Sequence, residues 1–243
     1  MPYIDNENIS RLGTENLPLV KQISLFFTGW IGFRILGTII QVILVAIFKN
    51  ADTSFISILI NSLTYVFLLI ILLGIINFDI FKLLKSFKQY QSYIAAALCV
   101  VAIFAFNIVY NMLIQSLYIP MGNNNNEESL QRIEKVYPIV SVIVFGFVGP
   151  ICEEITYRVG LFSSLRRKSR TMAYFITIIV FAFIHFSWST DTSVLLNEVL
   201  NLPFYMFAAF AFSFVYDRYG FAASTTAHII NNLVSILLVS YIH

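Results

Sequence analysis

Two adjacent glutamates, two histidines and an asparagine lie inside runs of otherwise apolar residues. Glu153 and Glu154 fall within 137–162, His185 within 172–188, and His228 with Asn232 within 221–242. A carboxylate and a neutral imidazole together activate water. The carboxylate takes a proton, and the histidine orients the nucleophile. His228 and Asn232 are four residues apart, so they share a helix face and suit donation to an oxyanion as it forms. That set of groups fits amide hydrolysis. The same side chains also suit a metal, because Glu and His bind zinc. No His-Glu-x-x-His helix is present, yet Glu153, His185 and His228 could still meet around an ion. Both chemistries stay open at this level.

Local spacing divides the labour between the two acids. Glu154 and Arg158 are four apart on one helix face and can pair. Glu153 is turned about 100° from Glu154, so it faces elsewhere. One carboxylate is thus expected to stay paired while its neighbour faces a cavity. Gly149-Pro150 precedes the pair, and a proline there removes a helical hydrogen bond and bends the helix beside the site. Phe181 and His185 repeat the four-residue spacing, with Phe181 read as packing.

The elements that must position these groups are membrane helices. The chain has 243 residues, 58% hydrophobic and 12% charged, against about 25% charged in soluble domains. A spanning helix needs roughly 20 mostly apolar residues. Seven segments are expected: 23–48, 55–78, 93–119, 137–162, 172–188, 195–215 and 221–242. The fold class is all-α, a polytopic transmembrane bundle of about seven spans. The organisation is one membrane domain: a polar N-terminal segment (1–22), helices and loops (23–136) and a catalytic core (137–243). The loop 122–136, with its asparagine run 123–126, is expected to be irregular. Cys99 and Cys152 lie in apolar runs and read as packing residues, not as a disulfide or zinc site. The formal charge of +2 gives no basic surface for nucleic acid.

Lysine and arginine set the orientation. With the N-terminus in the cytoplasm, Arg11, Lys21, Lys82, Lys85, Lys88, Arg166, Arg167, Lys168, Arg170 and Arg218 lie inside. Lys49, Arg132 and Lys135 lie outside. The C-terminus is then outside. Arg34 falls within the first helix and is expected to snorkel to the cytoplasmic face. Depth follows from a rise of about 1.5 Å per residue. Glu153 lies roughly 20 Å from Arg166, His185 roughly 22 Å from Arg170, and His228 roughly 15 Å from Arg218. The three helices enter from one side, so their polar groups meet in one layer. A charge at that depth costs about 2.5–3.5 kcal/mol on insertion scales, which marks the layer as functional.

The motifs together resemble those of the CAAX protease and bacteriocin-processing family, also called the Abi family of intramembrane proteases. Glu153-Glu154-Ile155-Thr156-Tyr157-Arg158 matches Glu-Glu-x-x-x-Arg. Phe181 to His185 matches Phe-x-x-x-His, and His228 to Asn232 matches His-x-x-x-Asn. The preceding Gly149-Pro150 is similar too. The likeness spans residues 137–242. It implies an endopeptidase acting at or within the membrane. By resemblance, Glu153 is the general base and His185 its partner on water. His228 and Asn232 stabilise the oxyanion, while Glu154 and Arg158 hold the geometry. It leaves open whether no cofactor is required or a divalent metal such as zinc takes part.

The expected partners are the lipid bilayer and a membrane-associated peptide or protein, and the expected location is a bacterial plasma membrane. Expected roles are bacteriocin or pheromone processing, self-immunity, or CAAX-type cleavage. Two other classes compete. A non-proteolytic scaffold for a signalling partner would not need Glu153. A proton-coupled transporter would show paired repeats, and none is seen.

Overall fold

A computed structural model describes residues 17–241, with side chains through residue 238. Most of the polar N-terminal segment, including Arg11, and the terminal residues 242 and 243 lie outside the described residues. Every regular element among the described residues is helical. Among the described residues six helices are long and apolar enough to cross a membrane, and the protein is an integral membrane helical bundle.

The first helix, α1, runs Leu19–Ile47 and widens to a π-helical turn at Thr28–Gly32. It starts four residues before the expected boundary. Helix α2 (Thr53–Ile76) opens on Asp52, whose carboxylate accepts from the Ser54 and Phe55 amides. That is the N-cap role in which Asp is strongly preferred. It ends where Asn77 takes φ 50° and ψ −133°, outside the helical region of backbone space. Short α3 (Ile80–Leu84) follows, then α4 (Tyr90–Ser116). Helix α6 (Pro138–Arg166) carries the acidic pair. Helices α8 (Thr192–Tyr219) and α9 (Phe221–Tyr241) are separated only by Gly220 at φ 82°. That lone left-handed residue turns the chain back at no steric cost.

Two segments depart from expectation. Residues 122–136 are not an irregular loop: Asn125–Val136 form helix α5. Its signal was present in the sequence. Asn124 caps it by accepting from the Glu127 amide at 3.0 Å, and Glu127 and Glu128 fill the first turn, where negative charge favours a helix N-terminus. The fifth apolar segment is the second departure. Helix α7 spans only Arg170–Phe183, about 21 Å at 1.5 Å per residue, and stops short of the expected end at Trp188. The His185 ring takes the Phe181 carbonyl at 2.9 Å. The His185 amide turns back to Ala182 instead. A side chain has replaced the i−4 backbone bond, and the helix ends there.

The ends of the bundle differ in charge. At one end, Asp79 binds Lys21 and Lys82, both at 2.6 Å. Asp217 binds Arg166 at 3.1 Å and Arg170 at 2.9 Å. Ser86 accepts from the Ala222 amide, and Ser92 donates to the Tyr219 carbonyl. The start of α1, the end of α6 and the α8–α9 turn are therefore fixed in one basic plane. Helix α5 lies at the opposite end. Among the described residues, close packing joins α1 to α6. A β-carbon at Gly29 would overlap Thr156, and one at Gly160 would fall 2.7 Å from the Phe26 amide nitrogen. Only glycine permits backbones to approach this closely.

Candidate active site

Helix α6 is not a regular α-helix where it carries the acids. Pro150 has no amide hydrogen to donate. The helix is π-helical before it, at Val142–Val148, and after it, at Glu154–Phe162. Such wide turns are frequent at functional sites. Glu153 and Glu154 consequently leave the helix in different directions, as their spacing predicts.

Glu154 points into protein and is fully enclosed. Its Oε1 accepts from His228 Nδ1 at 3.0 Å, and Oε2 lies 3.5 Å from Arg158 Nε. Arg158 is equally enclosed. Its guanidinium sits over the Phe181 ring at 4.7 Å and nearer the edge of contact with Phe212 at 5.8 Å. No guanidinium nitrogen has a hydrogen-bond partner among the described residues. The Glu154 charge and the two ring faces therefore hold it.

Glu153 points the other way, with its side chain 20% exposed. Tyr65 Oη donates to its Oε1 at 3.3 Å. His228 Nε2 lies 3.8 Å from its Oε2, beyond hydrogen-bond reach. The His228 ring is thus set between the two acids, bonded to one and near the other. It is stacked on Phe212 with ring centroids 4.5 Å apart.

His185 comes from the turn that ends α7. A carbonyl only accepts, so the bond to Phe181 O places a ring proton on Nδ1, and in the neutral imidazole the lone pair is then on Nε2. Tyr205 stacks on the ring at 4.4 Å and fixes its plane. Asn232 donates from Nδ2 to the Phe145 carbonyl at 3.0 Å. Glu153, His185, His228 and Asn232 all line one cavity of about 370 Å³. Glu154 and Arg158 stand behind its wall. The arrangement supplies a carboxylate acceptor, an imidazole lone pair and amide donors around a single void. That is what water activation beside a polarised carbonyl needs. Among the described residues no three His, Cys, Asp or Glu side chains are grouped to hold a metal ion. The set Glu153, His185 and His228 does not form such a group.

Some residues of the site escaped sequence reasoning. Tyr65, on α2, touches Glu153, although the first helices read only as apolar. Asn124 does three things at once. It caps α5, accepts from Tyr205 Oη at 3.3 Å and donates to the His185 carbonyl at 3.1 Å. Buried Glu198 accepts from the Asn125 and Ser187 amides at 2.8 and 3.0 Å. Helix α5 is therefore clasped to the His185 turn. An Asn-x-x-Glu spacing was the available signal for the cap, and nothing in sequence signalled the rest.

The Tyr65 contact is testable. Phenylalanine keeps the ring, which packs 5.0 Å from Phe33, and removes only the hydroxyl. A hydrogen bond to a charged group contributes about 1.5–3 kcal/mol. Tyr65→Phe is expected to lower kcat/KM by about tenfold with an unchanged melting temperature. An unaltered rate would show that the hydroxyl does not tune Glu153.

Helix α5 roofs the cavity with Glu127, Leu130 and Glu134. Glu134 is buried. Burial, with the Glu127 charge adding to it, pushes its carboxyl up from the ordinary 4.5 to about 7. The docked helix therefore favours the protonated acid. This contribution is complete below pH 4.5 and is lost as pH rises through about 7. Amide exchange in α5, corrected for intrinsic rates, is expected to rise severalfold from pH 6 to pH 8 and to lose that dependence in Glu134→Gln. A pH dependence unchanged in Glu134→Gln would rule out this acid as its source.

Comparison with known proteins agrees with the motifs. Residues 135–234 match the family described as type II CAAX prenyl endopeptidase Rce1-like. An uncharacterized protein of Mycoplasma capricolum is 27% identical over 203 residues, 79% of this chain and 57% of its own length. The UPF0177 protein YvdC of Lactococcus lactis is 30% identical over 71 residues, 27% of each chain. The chain thus spans little more than half of the first relative and about a quarter of the second. No solved structure matches it.

Proposed function

Given that residues 135–234 carry the sequence of the type II CAAX prenyl endopeptidase Rce1-like family, we propose that the protein hydrolyses peptide bonds of membrane-associated peptides or proteins, with Glu153 as general base. One observation carries this reading: two adjacent acids are held in opposite environments. Glu154 is enclosed and paired, whereas Glu153 faces the cavity with a single tyrosine hydroxyl on it.

Each proposed step uses a group that lines the cavity. Water held between Glu153 and His185 Nε2 gives its proton to Glu153, and its oxygen attacks the substrate carbonyl. The remaining Asn232 N–H donates to the oxyanion. His228 lies on the same wall, its ring held by the Glu154 carboxylate through Nδ1. Glu153 then passes its proton to the departing amine, and the carbon–nitrogen bond breaks. One water is consumed, and an acid and an amine leave. Glu154 and Arg158 touch no reacting atom. They position His228.

The basic end supports an orientation with Leu17 toward the cytoplasm and α5 outside. The relatives in Mycoplasma and Lactococcus support a bacterial plasma membrane. Bacteriocin or pheromone processing and CAAX-type cleavage are the substrate classes that fit a midmembrane site. The test is to compare peptide termini, by mass spectrometry, in native-host cells making wild type or Glu153→Ala at equal levels. Termini present only with wild type support proteolysis. Identical termini, with Glu153→Ala rescuing a deletion phenotype, would favour a non-proteolytic scaffold.

A further inference from the structure

His185 sits where the chain has no regular structure. Helix α7 ends at Phe183, and α8 begins at Thr192. The turn between them carries the imidazole, yet backbone groups beyond a helix end have no ladder to join. Two side chains hold the turn instead. Asn124 Nδ2 donates to the His185 carbonyl at 3.1 Å. Glu198 Oε2 accepts from the Ser187 amide at 3.0 Å. Asn124 is 2% exposed and Glu198 1%, so bulk water does not compete for either.

The same two side chains hold α5. Asn124 Oδ1 caps the helix at the Glu127 amide, and Glu198 Oε1 accepts from the Asn125 amide. Tyr205 joins the two ends: its ring stacks on His185, and its hydroxyl donates to Asn124 Oδ1. An amide with donors on its oxygen and an acceptor on its nitrogen has a single orientation. Asn124 therefore governs both the His185 backbone and the tyrosine that sets the ring plane. Helix α5 meanwhile covers the cavity with Asn126, Glu127, Leu130 and Glu134. A lone helix of 12 residues is marginal in water. Its order depends on this seating and on Ile133, which packs with Ile58, Val144, Phe145 and Ile236. Asn124 lies outside residues 135–234, the stretch that carries the family's sequence.

We propose that Asn124 is a positioning residue for His185, so that seating α5 over the cavity and aligning the imidazole are one event. The assignment rests on the peptide-hydrolase reading above. A cover that closes over substrate and completes the catalytic set in the same motion keeps the histidine idle while the site is open. Without the Asn124 amide the cavity still holds a substrate, but the water-orienting ring is no longer fixed.

The test separates the cap from the tie. Asn124→Ser keeps an oxygen that caps as well as asparagine, and its shorter side chain does not reach the His185 carbonyl. In nanodiscs, amide exchange is expected to stay slow in α5 and to rise severalfold at Ser187, whose amide reports the turn. By nitrogen NMR of labelled histidine, the neutral His185 ring of wild type should show one tautomer, protonated on Nδ1, and that of Asn124→Ser a mixture of two. With a fluorogenic S-farnesyl CAAX peptide, kcat should fall about five- to tenfold, the worth of one neutral hydrogen bond, with KM unchanged. Ile133→Ala loosens α5 from its far end, and exchange should then rise in α5 and at Ser187 together. A single tautomer or an unchanged kcat in Asn124→Ser, or slow exchange at Ser187 while Ile133→Ala has loosened α5, overturns the proposal. A wild type that never cleaves that peptide, with exchange and tautomers as expected, would overturn CAAX-type cleavage and leave the tie between Asn124 and His185 standing.

Discussion

Purified Glu153→Ala protein is expected to lose about 10²–10⁴-fold in kcat against a membrane peptide that wild type cleaves, the usual contribution of a positioned general base. The melting temperature should change little. Among the described residues Glu153 accepts one side-chain hydrogen bond, from the Tyr65 hydroxyl, and His228 Nε2 stands 3.8 Å away. Its side chain is partly open to the cavity, so removal leaves no enclosed group unsatisfied. His185→Ala should lower the rate as well, through loss of the lone pair that orients water. It also removes the ring that ends α7, so it should lower stability measurably. His228→Ala should abolish activity with a stability loss between the two, since Glu154 then loses its donor. A Glu153→Ala enzyme with wild-type kcat would sink the general-base mechanism outright.

The second large effect concerns stability. Glu154 and Arg158 are both at 0% exposure, and breaking such a pair by removing one partner leaves a buried charge. That typically costs about 3–5 kcal/mol. Glu154→Leu and Arg158→Met are each expected to destabilise the protein by about that amount, read from thermal unfolding in detergent. The double variant should recover most of the loss, because an apolar pair of similar volume is often neutral. It should not recover activity, since His228 Nδ1 no longer has a carboxylate to hold its orientation. The cycle separates a positioning role from a purely structural one. Additive losses in the double variant would mean that the two side chains do not stabilise each other. Recovered activity would mean that Glu154 does not position His228.

Much of this site was legible because membrane insertion makes polarity conspicuous. Insertion penalises charge so strongly that Glu153, Glu154, Arg158, His185 and His228 stand out against apolar neighbours. Helical spacing then separated the roles of the two acids, since Glu153 and Glu154 diverge and Glu154 meets Arg158. Depth counting from the basic residues placed the three helices' polar groups in one layer, and they line one cavity. The reading was weaker where a residue is polar for a local reason. The asparagine run looked like a loop, yet Asn124 is a helix cap with two further bonds. The end of α7 was placed too late because the periodicity of apolar residues does not register a histidine that captures its own helix's carbonyl.

The sequence by itself determined that the chain is a membrane bundle, which polar residues interrupt its apolar helices, and how far along each helix they lie from the basic residues. These follow from hydropathy and from a fixed rise per residue, both of which are properties of single helices. Only the tertiary structure decided who meets whom across helices. It set Tyr65 on Glu153, His228 between two acids, Tyr205 on His185, and Arg34 on the cavity wall instead of at the surface. The physical reason is rotation about the helix axis. Which face of α1 or α2 turns inward is fixed by close contacts such as Gly29 on Thr156 and Gly160 on Phe26. In an apolar solvent, a helix that is apolar all round carries no pattern to announce that choice.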